Sequence, residues 1–121
     1  MSQNYKAGDF LIFQLESGYG LLRILEVEDA PSGEKIWHLA AYNELFPDVE
    51  SADEAISKYP EKLTFNLSHV ALTNRAFHAT QTAVMGNSPL SEEELKSFRQ
   101  WQASPEKKIH DRSIRLMIGI R

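Results

Sequence analysis

Cysteine is absent from the 121 residues, which removes disulfides, thiolate nucleophiles and cysteine-ligated zinc from consideration. No apolar run approaches the roughly 20 residues that a membrane-spanning helix needs. Met1 to Gly8 lacks the basic start and apolar stretch of a secretory signal, so the expected compartment is the cytoplasm and no membrane partner is expected. The six glycines and five prolines never gather into a linker, and no repeat or low-complexity tract is visible. A single domain over 1–121 is therefore expected, long enough to bury a core without covalent staples. An excess of base is missing as well: the formal net charge is -4, with 42% hydrophobic and 25% charged residues, a composition that argues against disorder.

What is present reads first as β-structure. Gly8-Asp9 is a turn signal. Phe10 to Leu15 is apolar on both faces, as in a central, covered strand. After a turn at Ser17-Gly18, Tyr19 to Val27 places Leu22 and Ile24 on one face and Leu21, Leu25 and Val27 on the other, with Arg23 interrupting the second. Gly18, Gly20 and Gly119 suit tight bends. Asp29 to Gly33 is a loop, and Lys35 to Tyr42 a third strand carrying Trp37. From Asn43 the pattern turns irregular. Ser51 with Glu54 fits a capping box opening a short helix from Ala52 to about Tyr59. Leu63 to Ser68 alternates as a half-buried strand that continues to Leu72. Residues 73–85 fit no period well and read as a loop, then a short strand near Thr82 to Met85.

The sharpest local signal follows the turn Gly86-Asn87-Ser88-Pro89. Ser91 and Glu94 form a capping box, and Leu90 and Leu95 fit a hydrophobic staple. Leu95, Phe98 and either Trp101 or Gln102 lie near one face of a helix that Ser104-Pro105 stops. Ile114, Leu116, Ile118 and Ile120 alternate with other residues and predict a last strand. The expected fold class is α+β: a strongly twisted antiparallel sheet or partial small β-barrel, a Src-homology-3-like meander, with two short helices packed on it.

Nothing in this pattern demands catalysis, a metal or a cofactor. His38, His69, His78 and His110 show no i, i+4 pair and no metal motif. His38 lies inside a strand and reads as a hydrogen-bonded strand residue. No G-x-S-x-G elbow marks a nucleophile, and Gly18-Tyr19-Gly20 lacks the lysine and helix of a phosphate loop. Glu92, Glu93 and Glu94 complement the positive end of a helix.

Charge is unevenly distributed. Between Glu26 and Glu54 nine acids face the single base Lys35, whereas Lys107, Lys108, Arg112, Arg115 and Arg121 oppose only Asp111 from Lys107 onward. The acidic half also holds Tyr42 and Phe46 beside a proline loop. Tyr42, Glu44, Phe46, Asp48, Glu50 and Asp53 are thus candidates for a surface that takes a basic protein partner, against the plainer reading of a solvated face. Arg75 is a candidate interface anchor or a residue of the turn after the fourth strand. Acid disfavours nucleic acid on this half. Two alternatives stay open: a small-barrel nucleic-acid module using the basic tail, and a hydrolase with a dispersed site.

Lys6-Ala7-Gly8-Asp9-Phe10, followed by Tyr19-Gly20-Leu21-Leu22-Arg23-Ile24-Leu25, resembles one family of bacterial immunity proteins that accompany the toxins of polymorphic toxin systems. Gly86-Asn87-Ser88-Pro89-Leu90, leading into Glu93-Glu94-Leu95 and Trp101, is similar too. The resemblance covers about half the chain in two pieces, and Pro31 to Ala71 lies outside it. It implies a cytoplasmic protein without catalytic residues that binds and neutralises a cognate toxin, often a nuclease.

Overall fold

Three strands run in sequence from the start of the domain: β1 (Asp9–Leu15), β2 (Gly18–Asp29) and β3 (Lys35–Phe46). They form an antiparallel meander, as expected, with Glu16 and Ser17 as the first turn. The computed structural model describes residues 5–119. β4 (Phe65–Thr73) joins the outer side of β3, and β5 (Thr82–Asn87) joins the outer side of β1. The strand order is β4-β3-β2-β1-β5. This antiparallel sheet does not close into a barrel, because β4 and β5 end up at opposite edges.

Among the described residues four short α-helices complete the α+β fold, rather than the expected two: α1 (Val49–Lys58), α2 (Asn74–His78), α3 (Glu92–Ala103) and α4 (Ile114–Met117). Each has a side-chain N-cap, respectively Asp48, Thr73, Ser91 and Ser113. In α3 both halves of the capping box form, between Ser91 and Glu94. Leu90 and Leu95 pack on the same cluster, around Leu25, Ala40 and Phe98. At α1 the expected box gives way to Asp48, whose carboxylate accepts from the Ser51 amide at 2.7 Å. A charged acceptor three residues upstream caps the helix more strongly than a hydroxyl would, so Ser51 and Glu54 fall inside it.

Other departures have equally local causes. β3 runs on through Asn43 to Phe46 because Leu45 and Phe46 pair with Gly20 and Tyr19 of β2, while Asn43 and Glu44 tie its other edge to Thr64 and Phe65. Asn74 and Arg75 open α2 where a loop is expected, since Thr73 caps it and Trp37 Nε1 donates to Asn74 Oδ1 at 2.9 Å. A β-bulge between Ile24 and Glu26 turns Val27 over, so it packs with Leu22 and Ile24 instead of Leu21 and Leu25. The predicted last strand is the helix α4. Ser113 accepts the Leu116 amide, leaving Ile114 buried and Leu116 69% exposed, where a strand would put both on one face. Ile120 lies outside the described residues.

The sheet is covered on both faces. One carries Leu11, Phe13, Leu22, Ile24, Trp37, Leu39 and Leu72 against Ala76, Phe77 and Ile114 from α2 and α4. Trp37 and Phe77 stack there with centroids 3.9 Å apart. The opposite face carries α1 and α3 side by side. α1 seats Ala52 and Ile56 on Phe10, Ile12, Leu21 and Tyr42, and α3 seats Leu95, Phe98 and Trp101 on Leu25 and Ala40.

Candidate functional site

Leu21 belongs to the cluster under α1 and Leu25 to the cluster under α3. Arg23, midway between them on β2, lies under the first turn of α3 and the chain before it, which bond its guanidinium. A groove opens there with a cavity volume of about 850 Å³. Its floor takes one side chain from each of β1 to β4 (Phe10, Arg23, Tyr42 and Phe65), and Met85 and Gly86 of β5 complete it. One wall is α1 and the 3-10 turn Pro60–Lys62, which present Asp53, Ser57 and Glu61. The other is the start of α3 and the chain before it, with Ser88, Ser91, Glu93 and Glu94.

Arg23 organises this floor. Its guanidinium is 3% exposed and lies 4.1 Å from the Phe10 ring centroid. Nε donates to the Gly8 carbonyl at 3.0 Å, Nη2 to the Ser88 carbonyl at 2.7 Å and Nη1 to Glu94 Oε2 at 2.7 Å. A buried cation persists when it is paired and its donors are satisfied, and here both conditions hold. The same bonds tie the chain between β5 and α3 to the sheet. Tyr42 borders the group, and burial raises its phenol pKa against the opposing pull of Arg23. Among the described residues lining the groove Arg23 is the one base, and Glu94 neutralises it. Asp53, Glu61 and Glu93 have no such partner there, so the groove is net acidic.

The candidates from sequence divide accordingly. Asp53 and Tyr42 line the groove, but Tyr42 is a buried strand residue stacked with Phe65 at 5.2 Å, not part of a loop rim. Phe46 likewise packs inward beside Tyr19. Tyr42 lies in β3 as expected, and Phe46 joins it because that strand outlasts its apolar pattern. Glu44 accepts the Thr64 amide at 2.8 Å and hydroxyl at 2.6 Å. Burial raises its pKa, but those bonds prevail and hold the carboxyl below its ordinary value. Asp48 is the α1 cap, its carboxyl lowered by the bonds from Ser51. Glu50 is in the first turn of α1. Arg75 is exposed and pairs with Asp111, which also accepts from the Thr73 hydroxyl. The acids thus split between structural tasks and one wall of a groove. The groove residues missed in the linear reading are Glu61, Glu93 and Glu94, together with the role of Arg23. The signal was the lone charge in an apolar strand.

A second polar cluster lies under α3. His38 is wholly buried on β3. Its Nε2 is 2.8 Å from Glu28 Oε1, and its Nδ1 is 3.0 Å from Nε2 of His69 on β4. A carboxylate only accepts, so His38 donates from Nε2 and accepts at Nδ1 from a neutral His69. Burial lowers both imidazole pKa values. For His38 the neighbouring Glu28 and Glu26 oppose it; His69 is pushed down to about 4, with His38 adding to the shift. Phe98 and Trp101 close over the pair, and the adjacent Ser68 hydroxyl bonds Ser97 instead, at 2.7 Å. Among the described residues no group of three or more histidine, aspartate or glutamate side chains is placed to hold a metal ion.

Lys107 reaches the Ser104 carbonyl, and His110 pairs in parallel with Leu72 along the β4 edge; Arg121 lies outside the described residues. No helix is long and apolar enough to cross a membrane among the described residues. Comparison with family models, with curated proteins and with solved structures finds no match.

Proposed function

We propose that this chain is a non-catalytic binding protein that occludes a basic protein partner, and that the groove between α1 and α3 is where the partner docks. The observation that carries this is the charge of the groove: Asp53, Glu61 and Glu93 line it without a counter-ion, while its single base is already neutralised by Glu94. The three carboxylates are exposed on the groove's walls, and a basic side chain seated between them is drawn in by their combined field. The same field speeds the approach of a basic protein and repels phosphate, which favours a protein over nucleic acid. Together with the immunity-protein resemblance, the partner is read as a toxin domain, held stoichiometrically in the cytoplasm.

The test is co-expression with toxin domains encoded beside this chain's gene. A cognate toxin should lose its toxicity and co-purify with the chain. The double reversal Asp53→Lys with Glu93→Lys should abolish rescue while leaving thermal stability within a few degrees. Full rescue by that double variant would refute the groove as the docking site.

A further inference from the structure

The hydrogen bond between His38 and His69 has room for one proton. Glu28 Oε1 fixes a proton on His38 Nε2, so Nδ1 accepts and His69 Nε2 donates across 3.0 Å. The ring centroids are 5.2 Å apart with planes 18° from parallel, and the two nitrogens point at one another. A first added proton fits: His38 then carries both, between the Glu28 carboxylate and a His69 that has moved its own proton to Nδ1. A second does not fit, because both facing nitrogens then carry hydrogen and both rings are cations. The surroundings give such a pair little help. β2 supplies Glu28, which bonds His38, and Glu26, which acts on it only through its charge. α3 lays the uncharged rings of Phe98 and Trp101 over both imidazoles. Its Glu92, Glu93, Lys96 and Arg99 are exposed, and its Glu94 is taken by Arg23. Beyond α3, the exposed Lys108 offers its carbonyl to Trp101 Nε1 at 2.9 Å. His110 bonds Ala71, the β4 partner of His38 in register.

We propose that this pair is an acid latch for α3: its protonation lifts the body of the helix from the sheet while β1 to β3 stay paired. The residues that cover the pair, Phe98 and Trp101, both belong to α3. The buried cluster that holds the helix down contains just Leu25, Ala40 and Phe98, whereas the opposite face of the sheet keeps its own core around Leu11, Leu22, Trp37 and Phe77. Once off the sheet, a helix of 12 residues is marginal in water. Its imidazole neighbours then regain their ordinary affinity for protons, whereas the docked His69 is held down to about 4 by burial and by His38. Below pH 6.5 protons therefore favour the released form. Release bares Leu25, Ala40 and two aromatic rings, so acid changes the surface that the domain presents, whatever its partner.

Native-state hydrogen exchange on the 15N-labelled full chain, between about pH 6 and pH 4.5, tests the latch. The Phe98 and Trp101 amides should exchange through an opening at least about tenfold more populated than the one that exposes the core amides of β1 to β3. The population of the α3 opening should rise about tenfold per pH unit on acidification, the response to one net proton taken up on release. His69→Gln still donates to His38 Nδ1 but takes no proton, and it should hold that rise below about threefold over the whole range. The imidazole 15N signals of the native chain give a second readout that needs no variant. Both rings should titrate over the range in which the Trp101 indole signal leaves its docked position. Equal populations for the two openings would overturn the proposal, since the helix then leaves only with the whole sheet. So would a full pH response in His69→Gln, or a Trp101 transition at a pH where neither ring titrates.

Discussion

Glu94 serves two masters with its two oxygens: Oε1 accepts the Ser91 amide at 2.9 Å and closes the α3 capping box, and Oε2 accepts from the buried Arg23 at 2.7 Å. One carboxylate thus couples the start of a helix to the middle of the sheet. Glu94→Ala should remove both bonds and leave a desolvated guanidinium. Because Glu94 is 26% exposed, water recovers part of the loss, and we expect about 2–4 kcal/mol of destabilisation in urea unfolding. Arg23→Met combined with Glu94→Gln should cost less than the two single changes added together. A single-variant loss below about 1 kcal/mol would show that the pair is not buried in effect.

Phe98 is the deepest residue of α3, 3% exposed and against His38 and Trp101. Phe98→Ala should cost about 3–5 kcal/mol, read by chemical denaturation. It should also expose the histidine pair, so the pH dependence described next should shrink in the same variant.

Both histidines bind their protons less readily in the folded state, His69 down to about 4 against an ordinary 6.5. Below pH 6.5 the unfolded chain therefore takes up more protons than the folded one. Stability from this pair is complete above pH 6.5 and falls as the pH drops towards 4. His69→Gln keeps a donor for His38 Nδ1 but cannot titrate. It should flatten the stability curve between pH 6.5 and 4.5 relative to the native chain. An identical slope in the variant would assign the acid sensitivity to carboxylates instead.

Gly20 lies opposite Phe13 in the first hairpin, and a Cβ on it would come within 2.6 Å of the Phe13 ring. The glycine is there to let an aromatic ring lie over the neighbouring strand, not to bend the chain. Gly20→Ala should destabilise by about 1–3 kcal/mol through overpacking, and Gly20→Ala with Phe13→Leu should regain part of that. A neutral Gly20→Ala would mean that the ring moves freely.

The sequence by itself determined the features that live within a few residues of one another. The meander of β1 to β3 follows from alternation and turn residues, and α3 from a capping box and staple confined to Leu90–Leu95. The start of α1 failed at the same range because two acceptors competed, and Asp48 outranks Ser51 by its charge. Ile114–Ile118 failed because three alternating apolar residues satisfy a strand or a single helical turn equally, and the Ser113 cap decides for the turn. Phe46 looked like a loop aromatic because the strand's extension beyond Tyr42 depends on pairing with Gly20 and Tyr19 of β2 and on Glu44 and Asn43 finding Thr64, about 20 residues away. Only the tertiary structure could join Arg23 to Glu94, 71 residues on, or His38 to His69, 31 residues on. It alone set Asp53, Glu61 and Glu93 around one groove. Such arrangements depend on strand order and register, which emerge when distant apolar faces are buried together, and no local pattern encodes them.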